Sequence, residues 1–235
     1  MNNETSKKVA IVQSCYIPWK GYFDLIRSVD EFILFDDMQY TRRDWRNRNK
    51  IKTPQGAQWL TIPVEVKGKY HQAIKDTCIS DPTWTASHWA ALRQNYSRAP
   101  HFATYADAVE AMYQAVAGET RLSRVNHHFL RGLCQLLGIQ TRISWSMDYP
   151  PFEGKTERLV GLCRAAGATH YLSGPAARDY MVPELFAEAN IQLDYIDYAG
   201  YPPYPQLWGE FDPYVSVLDL LFNTGPDAIN YLSKT

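Results

Sequence analysis

The sequence predicts an α/β fold: a Rossmann-like, mostly parallel sheet with a helical insertion in the middle of the chain. Three observations carry that expectation. Short apolar runs alternate with helical patterns in both halves of the chain, as strands joined by crossover helices do. From Val9 onward, about 30 residues hold a strand, a loop, a helix and a second strand, the length of one βαβ unit. Between the two alternating halves, residues from about 82 to 138 read as helix only. The expected organisation is one α/β domain over residues 1–235, with that stretch as a helical subdomain.

Residues 1 to 8 are polar and read as a frayed arm. Val9 to Val12 is a buried strand, Gln13 to Pro18 a turn, and Trp19 to Ser28 a helix with Phe23 and Ile26 at helical spacing. Glu31 to Phe35 is the second strand, stopped by Asp36-Asp37. Gln39 to Lys52 reads as a basic loop, and Trp59 to Val64 as a strand. Asp81-Pro82 opens three helices, Thr85 to Arg98, Phe102 to Ala117 and Arg121 to Leu137, the last stopped by Gly138 at the C′ position. Gln140 to Trp145, Thr169 to Leu172 and Ile191 to Ile196 are strands. Glu153 to Ala166 and Ala176 to Ala189 are helices, the second interrupted near Pro183. Tyr201 to Leu207 holds three prolines, which impose an extended, exposed path like a binding lip. Val215 to Asn223 is an apolar helix around Asp219, a carboxylate that needs partners if buried.

Composition narrows the function classes. Hydrophobic residues make up 46% of the 235, and formal net charge is −1, so neither disorder nor bulk attraction to nucleic acid is expected. No apolar run approaches the roughly 20 residues of a membrane helix, and the first residues lack the pattern of a signal peptide. Cys15, Cys78, Cys134 and Cys163 are scattered, which fits reduced thiols in a cytoplasmic protein rather than structural zinc. His127 and His128 are adjacent, so they point to different faces of a helix, and no metal is expected. No cofactor is implied. The 16 Tyr and 7 Trp, many beside Pro or Gly, suggest loops that line a cleft.

Several groups would meet at one place. If the sheet is parallel, Gln13-Ser14, Asp36-Asp37, Ser144 and Ser146, Ser173-Gly174 and Asp197-Tyr198 all lie beyond one edge, where open α/β sheets hold ligands. The run QYTRRDWRNRNKIK carries six basic residues, Arg42, Arg43, Arg46, Arg48, Lys50 and Lys52. It is either a solvated loop or a phosphate-binding segment, since guanidinium forks match phosphate oxygens. Arg43, Arg46 and Arg48 are the candidate phosphate contacts, and Trp19, Tyr22 and Tyr40 can stack on a base or sugar. Asp36, Asp37 and His71 are the candidate bases. Ser173-Gly174, placed before a helix, can offer backbone N–H groups to an anion or oxyanion.

The opening unit is similar to that of nucleotidylyltransferase-type Rossmann-like proteins. Trp19-Lys20-Gly21-Tyr22 stands where those carry a pair of histidines, which argues against nucleotidyl transfer and leaves nucleotide or phosphopantetheine binding open. A longer resemblance runs from Val9 to Gly225. Gln13, Tyr16, Pro18-Trp19, Gly21-Tyr22-Phe23, Asp36-Asp37, Gln39-Tyr40 and Asn47-Arg48-Asn49 resemble the signature of the WbqC-like family. So do Trp59-Leu60, Pro63-Val64, Ser173-Gly174, Tyr204 with Gln206, and Asp219 with Leu221-Phe222-Asn223. Cys15 departs from the Pro or Ser expected there. The resemblance implies a role in O-antigen or other surface polysaccharide synthesis. It implies an acyl or aminoacyl (such as glycyl) transferase. The acceptor would be the amine of a nucleotide-linked amino sugar, and the donor an acyl or peptidyl carrier protein or a CoA thioester. The other readings are a non-catalytic sugar-nucleotide-binding protein and an ATP-using activating enzyme.

Overall fold

The computed structural model describes residues 6–233. In chain order its elements are β1 (Lys8–Val12), α1 (Lys20–Arg27), β2 (Glu31–Leu34), β3 (Arg48–Thr53), β4 (Gly56–Thr61), α2 (Trp84–Tyr96), α3 (Phe102–Ala115), α4 (Leu122–Leu136), β5 (Arg142–Trp145), α5 (Thr156–Ala165), β6 (His170–Ser173), α6 (Pro183–Glu188), β7 (Gln192–Tyr195) and α7 (Val217–Thr224). Five strands form one sheet in the order β5-β2-β1-β6-β7, and every pair is parallel. The fold is therefore α/β and Rossmann-like.

Alternation along the strands makes both faces of the sheet apolar. Val9, Ile11 and Ile33 point to one side and pack with Leu159, Leu162 and Cys163 of α5 and Phe186 of α6. Ala10, Phe32 and Leu34 point to the other, where they join α1, the helices α2–α4, the β3–β4 hairpin and α7 in a larger cluster. Burial on both faces is what a parallel sheet requires. The helices end as their glycines suggest. Gly138 and Gly167 have φ of 70° and 69°, and each is followed by a residue whose N–H returns to the helix, Ile139 to Cys134 O at 2.8 Å and Ala168 to Cys163 O at 2.9 Å.

Strand order reverses at β1. From there the chain builds outward to β2 and β5 on one side, then to β6 and β7 on the other. The crevice beyond the carboxyl ends of β1 and β6 is the topological switch point. The crossover from β2 to β5 takes 107 residues, 35–141, and contains the hairpin and the helical insertion.

Four local expectations need correction. Gln39 to Lys52 is not all loop: Arg48–Thr53 pairs antiparallel with Gly56–Thr61, a two-stranded sheet apart from the main one. Its strand pattern is masked because the outward residues are charged while Asn49 and Ile51 turn in. The polar N-terminal arm is anchored where it is described, with Lys7 Nζ 2.7 Å from both Glu31 Oε2 and Ala166 O; residues 1–5 lie outside the described residues. The segment after β6 starts as a 3-10 turn, Pro175–Asp179, before α6. The Tyr201–Leu207 stretch is extended but turns Tyr204 inward, leaving it only 6% exposed.

Candidate functional site

The turn after β1 is the centre of the site, and Asp36 holds it. Asp36 Oδ1 accepts from Ser14 N at 2.8 Å, and Oδ2 accepts from Ser123 Oγ at the head of α4. Asn126, one turn further along α4, donates to Ser14 Oγ and to Arg46 O, both at 2.9 Å. Asp36 is fully buried, and burial pushes its carboxyl up while these hydrogen bonds pull it back. Both its oxygens are occupied, so it braces three elements from beneath the crevice.

Arg46 reaches into that turn. Its Nη1 donates to Gln13 O at 2.9 Å and Ser14 O at 3.3 Å and lies 3.2 Å from Cys15 Sγ. Its Nε sits 3.5 Å from Asp44 Oδ2. The Tyr22 hydroxyl donates to the same Gln13 carbonyl at 2.9 Å. The result is an immobilised guanidinium at the switch point. Cys15, beside it, is buried, and burial pushes its thiol up to about 11 despite the neighbouring cation. That thiol stays protonated at neutral pH and is a poor nucleophile.

An aromatic wall stands over the head of α1. The Trp19 indole lies across Gly21, where any Cβ would collide with the ring. Trp19 packs against Tyr198 at 5.2 Å, Tyr214 at 6.0 Å and Tyr201 at 6.1 Å between centroids. The glycine thus lets an aromatic side chain fold back over the first helical turn. Trp45, in the loop before β3, packs against Trp59 of β4 at 5.2 Å, and the two are 40% and 37% exposed. The Arg48 guanidinium lies 4.1 Å over Trp59, with Lys50 at 5.4 Å. Arg48 also donates to Arg43 O. Arg43 has a φ of 59°, in the left-handed region.

The other sequence candidates divide. Tyr40, Asn47 and Asn49 tie the hairpin to the turn: Tyr40 Oη donates to Asn47 Oδ1 at 2.9 Å, Asn47 Nδ2 to Ile62 O at 2.8 Å and Asn49 Nδ2 to Ile17 O at 2.9 Å. Tyr16 is fully buried, with its hydroxyl among Tyr113 and His88. Asp37 is half-buried at the β2 end, paired with Arg158 and accepting from Ser146 Oγ at 2.6 Å. His71 is exposed on a loop, its ring edge-on to Tyr70 at 4.9 Å. Ser173-Gly174 follows β6 at the crevice. The 3-10 turn there begins with Pro175, which has no N–H to offer an anion.

Tyr204, Gln206 and Asp219 form a separate, interior box. Asp219 is fully buried and accepts from Tyr96 Oη at 2.8 Å and from Tyr204 Oη and Gln206 Nε2 at 2.9 Å each. Burial pushes its carboxyl up against those bonds. Gln206 also donates to Asp212 O and accepts from Asp212 N, both at 2.9 Å, so the box fixes the covering loop.

The crevice therefore gathers Gln13, Trp19, Gly21, Tyr22 and Arg46, with Asp36 beneath. Comparison with known proteins adds the decisive observation: the family model of the WbqC-like protein family matches residues 13–231. The chain belongs to the WbqC-like protein family. The family match takes in every element from α1 to α7. Among curated relatives of this WbqC-like chain, Uncharacterized protein Rv1507c of Mycobacterium tuberculosis is 56% identical over 226 residues, covering 96% of this chain and 97% of the relative. No solved structure matches the chain. No helix among the described residues is long and apolar enough to cross a membrane.

Sequence reasoning missed Ser123, Asn126, Arg158, Lys20 and Tyr214. Ser123 and Asn126 carried a signal, since polar residues three apart at a helix start share one face.

Proposed function

We propose that this WbqC-like protein is a transferase of surface polysaccharide synthesis, such as that of O-antigen. It would move an acyl or aminoacyl group from a carrier-protein or CoA thioester to the amine of a nucleotide-linked amino sugar. The observation that supports this most is Arg46, held rigid at the switch point by Gln13 O and Ser14 O beside an aromatic wall. A fixed guanidinium suits a phosphate oxygen, and the rings suit a base or sugar face. The acceptor amine attacks only when neutral, so a base must take its proton. Asp36 is bound on both oxygens by Ser14 and Ser123, and half-buried Asp37 on both by Ser146 and Arg158, so exposed His71 is the more reachable base.

The test is direct. Thermal-shift and calorimetric binding are measured with dTDP- and UDP-amino sugars, followed by mass spectrometry of the sugar after incubation with acyl-CoA. A mass gain equal to the acyl group, lost in Asp37→Asn or His71→Ala with binding retained, supports transfer. Binding without any mass gain supports the second reading, a non-catalytic sugar-nucleotide-binding protein, which the interior position of Asp36 favours. Binding only with ATP and Mg²⁺ would replace both with an activating enzyme.

A further inference from the structure

Between β7 and α7 the chain runs 21 residues, 196–216, without helix or strand. Irregular connections that long are uncommon in compact domains and are often lids or binding loops. This one carries Tyr198, Tyr201, Tyr204, Trp208, Phe211 and Tyr214 and crosses the head of α1. Tyr204 and Gln206 anchor its middle to buried Asp219, and ahead of that anchor it is held by single polar pins. Tyr201 Oη donates to Asp24, and beyond the anchor Trp208 Nε1 donates to Asn95 O at 2.9 Å.

Lys20, the first residue of α1, makes an unusual pin. It is only 2% exposed. Its Nζ donates to Pro202 O at 2.9 Å and lies over the rings of Tyr201, Tyr204 and Phe211 at 5.2, 5.3 and 5.8 Å. Among the described residues it has no carboxylate within 4.0 Å. Burial pulls the ammonium down to about 8. As a mere tether this is a poor choice. A buried charge without an anion costs free energy that an apolar side chain of the same length would not. The charge has a use if a second arrangement gives it an anion. The place for one is at hand: Tyr22, in the same first turn of α1, donates to the Gln13 carbonyl that Arg46 also holds.

We propose that residues 198–203, ahead of the Tyr204 anchor, are a lid over the crevice and that Lys20 is its latch. The latch lets go of the Pro202 carbonyl and the ring cage to take a phosphate oxygen of the entering ligand. The inference rests on the nucleotide-binding reading above and adds a phosphate contact that is masked while the lid is down. Entry of a nucleoside diphosphate then exchanges a carbonyl and three ring faces for an anion, which gives the ligand a second cation besides Arg46.

The experiment uses UDP as the probe on wild type, Lys20→Met and Lys20→Arg, with hydrogen exchange read by mass spectrometry and affinity by calorimetry. In wild type, UDP raises exchange in the peptide spanning 198–203 while protecting the 13–19 turn. In Lys20→Met the affinity falls at least tenfold and UDP no longer changes lid exchange; Lys20→Arg restores most of the affinity. Equal UDP affinity in wild type and Lys20→Met overturns the latch and leaves the functional reading intact. So does a change confined to lid exchange without ligand, which is what a purely structural pin would give. Wild type that binds neither UDP nor dTDP overturns both. Should Lys20→Met fail to fold, Lys20→Gln takes its place with the same expected loss.

Discussion

Acid should weaken this fold through His88 by an amount the structure allows to be worked out. Thr61 O can only accept, so Nε2, 3.2 Å away, carries the ring hydrogen. Nδ1 then accepts from the Tyr16 hydroxyl at 2.9 Å, and the Tyr113 hydroxyl donates to Tyr16 at 2.6 Å. The ring is 6% exposed, and burial pulls its pKa down to about 4. A folded-state value below the unfolded one means the unfolded chain binds the proton first as pH falls. The stability due to neutral His88 is whole above the unfolded value, about 6.5, and is lost between there and about 4. Between pH 7 and pH 4.5 the loss comes to about 2–3 kcal/mol. Urea unfolding of wild type and His88→Gln at the two pH values isolates it, because other titrations are common to both proteins. Wild type should lose more stability on acidification than the variant, by that margin. Equal losses would mean that the imidazole is hydrated or protonated in the native state, and the relay from Tyr113 to Thr61 would be wrong.

Other consequences can be checked with single variants. Gly21→Ala forces the Trp19 ring off α1 and should cost about 1–3 kcal/mol; adding Trp19→Ala should recover part of that, a coupling a double-mutant cycle would read. Asp219→Leu strips the acceptor from two tyrosine hydroxyls and one amide, and should destabilise by about 3–5 kcal/mol in denaturant unfolding. Arg46→Met should weaken nucleoside diphosphate binding at least tenfold and lower its salt dependence in calorimetry. Cys15, Cys134 and Cys163 are buried with thiols pushed up to about 11, 12 and 12, so a thiol reagent at pH 8 should modify Cys78 quickly and all four only after unfolding.

What the sequence revealed depended on whether a residue's role was local. Val9 to Val12 and Glu31 to Phe35 are apolar on both faces, and the glycines at 138 and 167 end helices by their own backbone freedom, so these elements were legible. The hairpin was not, because Arg48 and Lys50 give a strand the composition of a loop. Prolines around Tyr204 correctly indicated an extended chain, but not that its hydroxyl turns in to Asp219, since that partner lies 15 residues away across a loop. The convergence of Gln13 and Arg46 could be guessed from strand ends. That Asp36 is bound up by Ser123, 87 residues along the chain, could not, because composition does not say which helix start will dock on which strand end.

The order of strands also sets a timetable for synthesis. β1 lies in the middle of the sheet and finds β2 within its own neighbourhood, but its other edge waits for β6, where Val9 meets Tyr171. The ribosome must first add the 161 residues that follow Val12 up to Ser173, which takes roughly 8–30 s at about 5–20 residues per second. For that interval the nascent chain carries an apolar strand with one open row of N–H and C=O groups, a template for any like strand nearby. Chains that end before β6 keep that edge permanently, so truncation there should yield aggregates rather than a smaller folded protein.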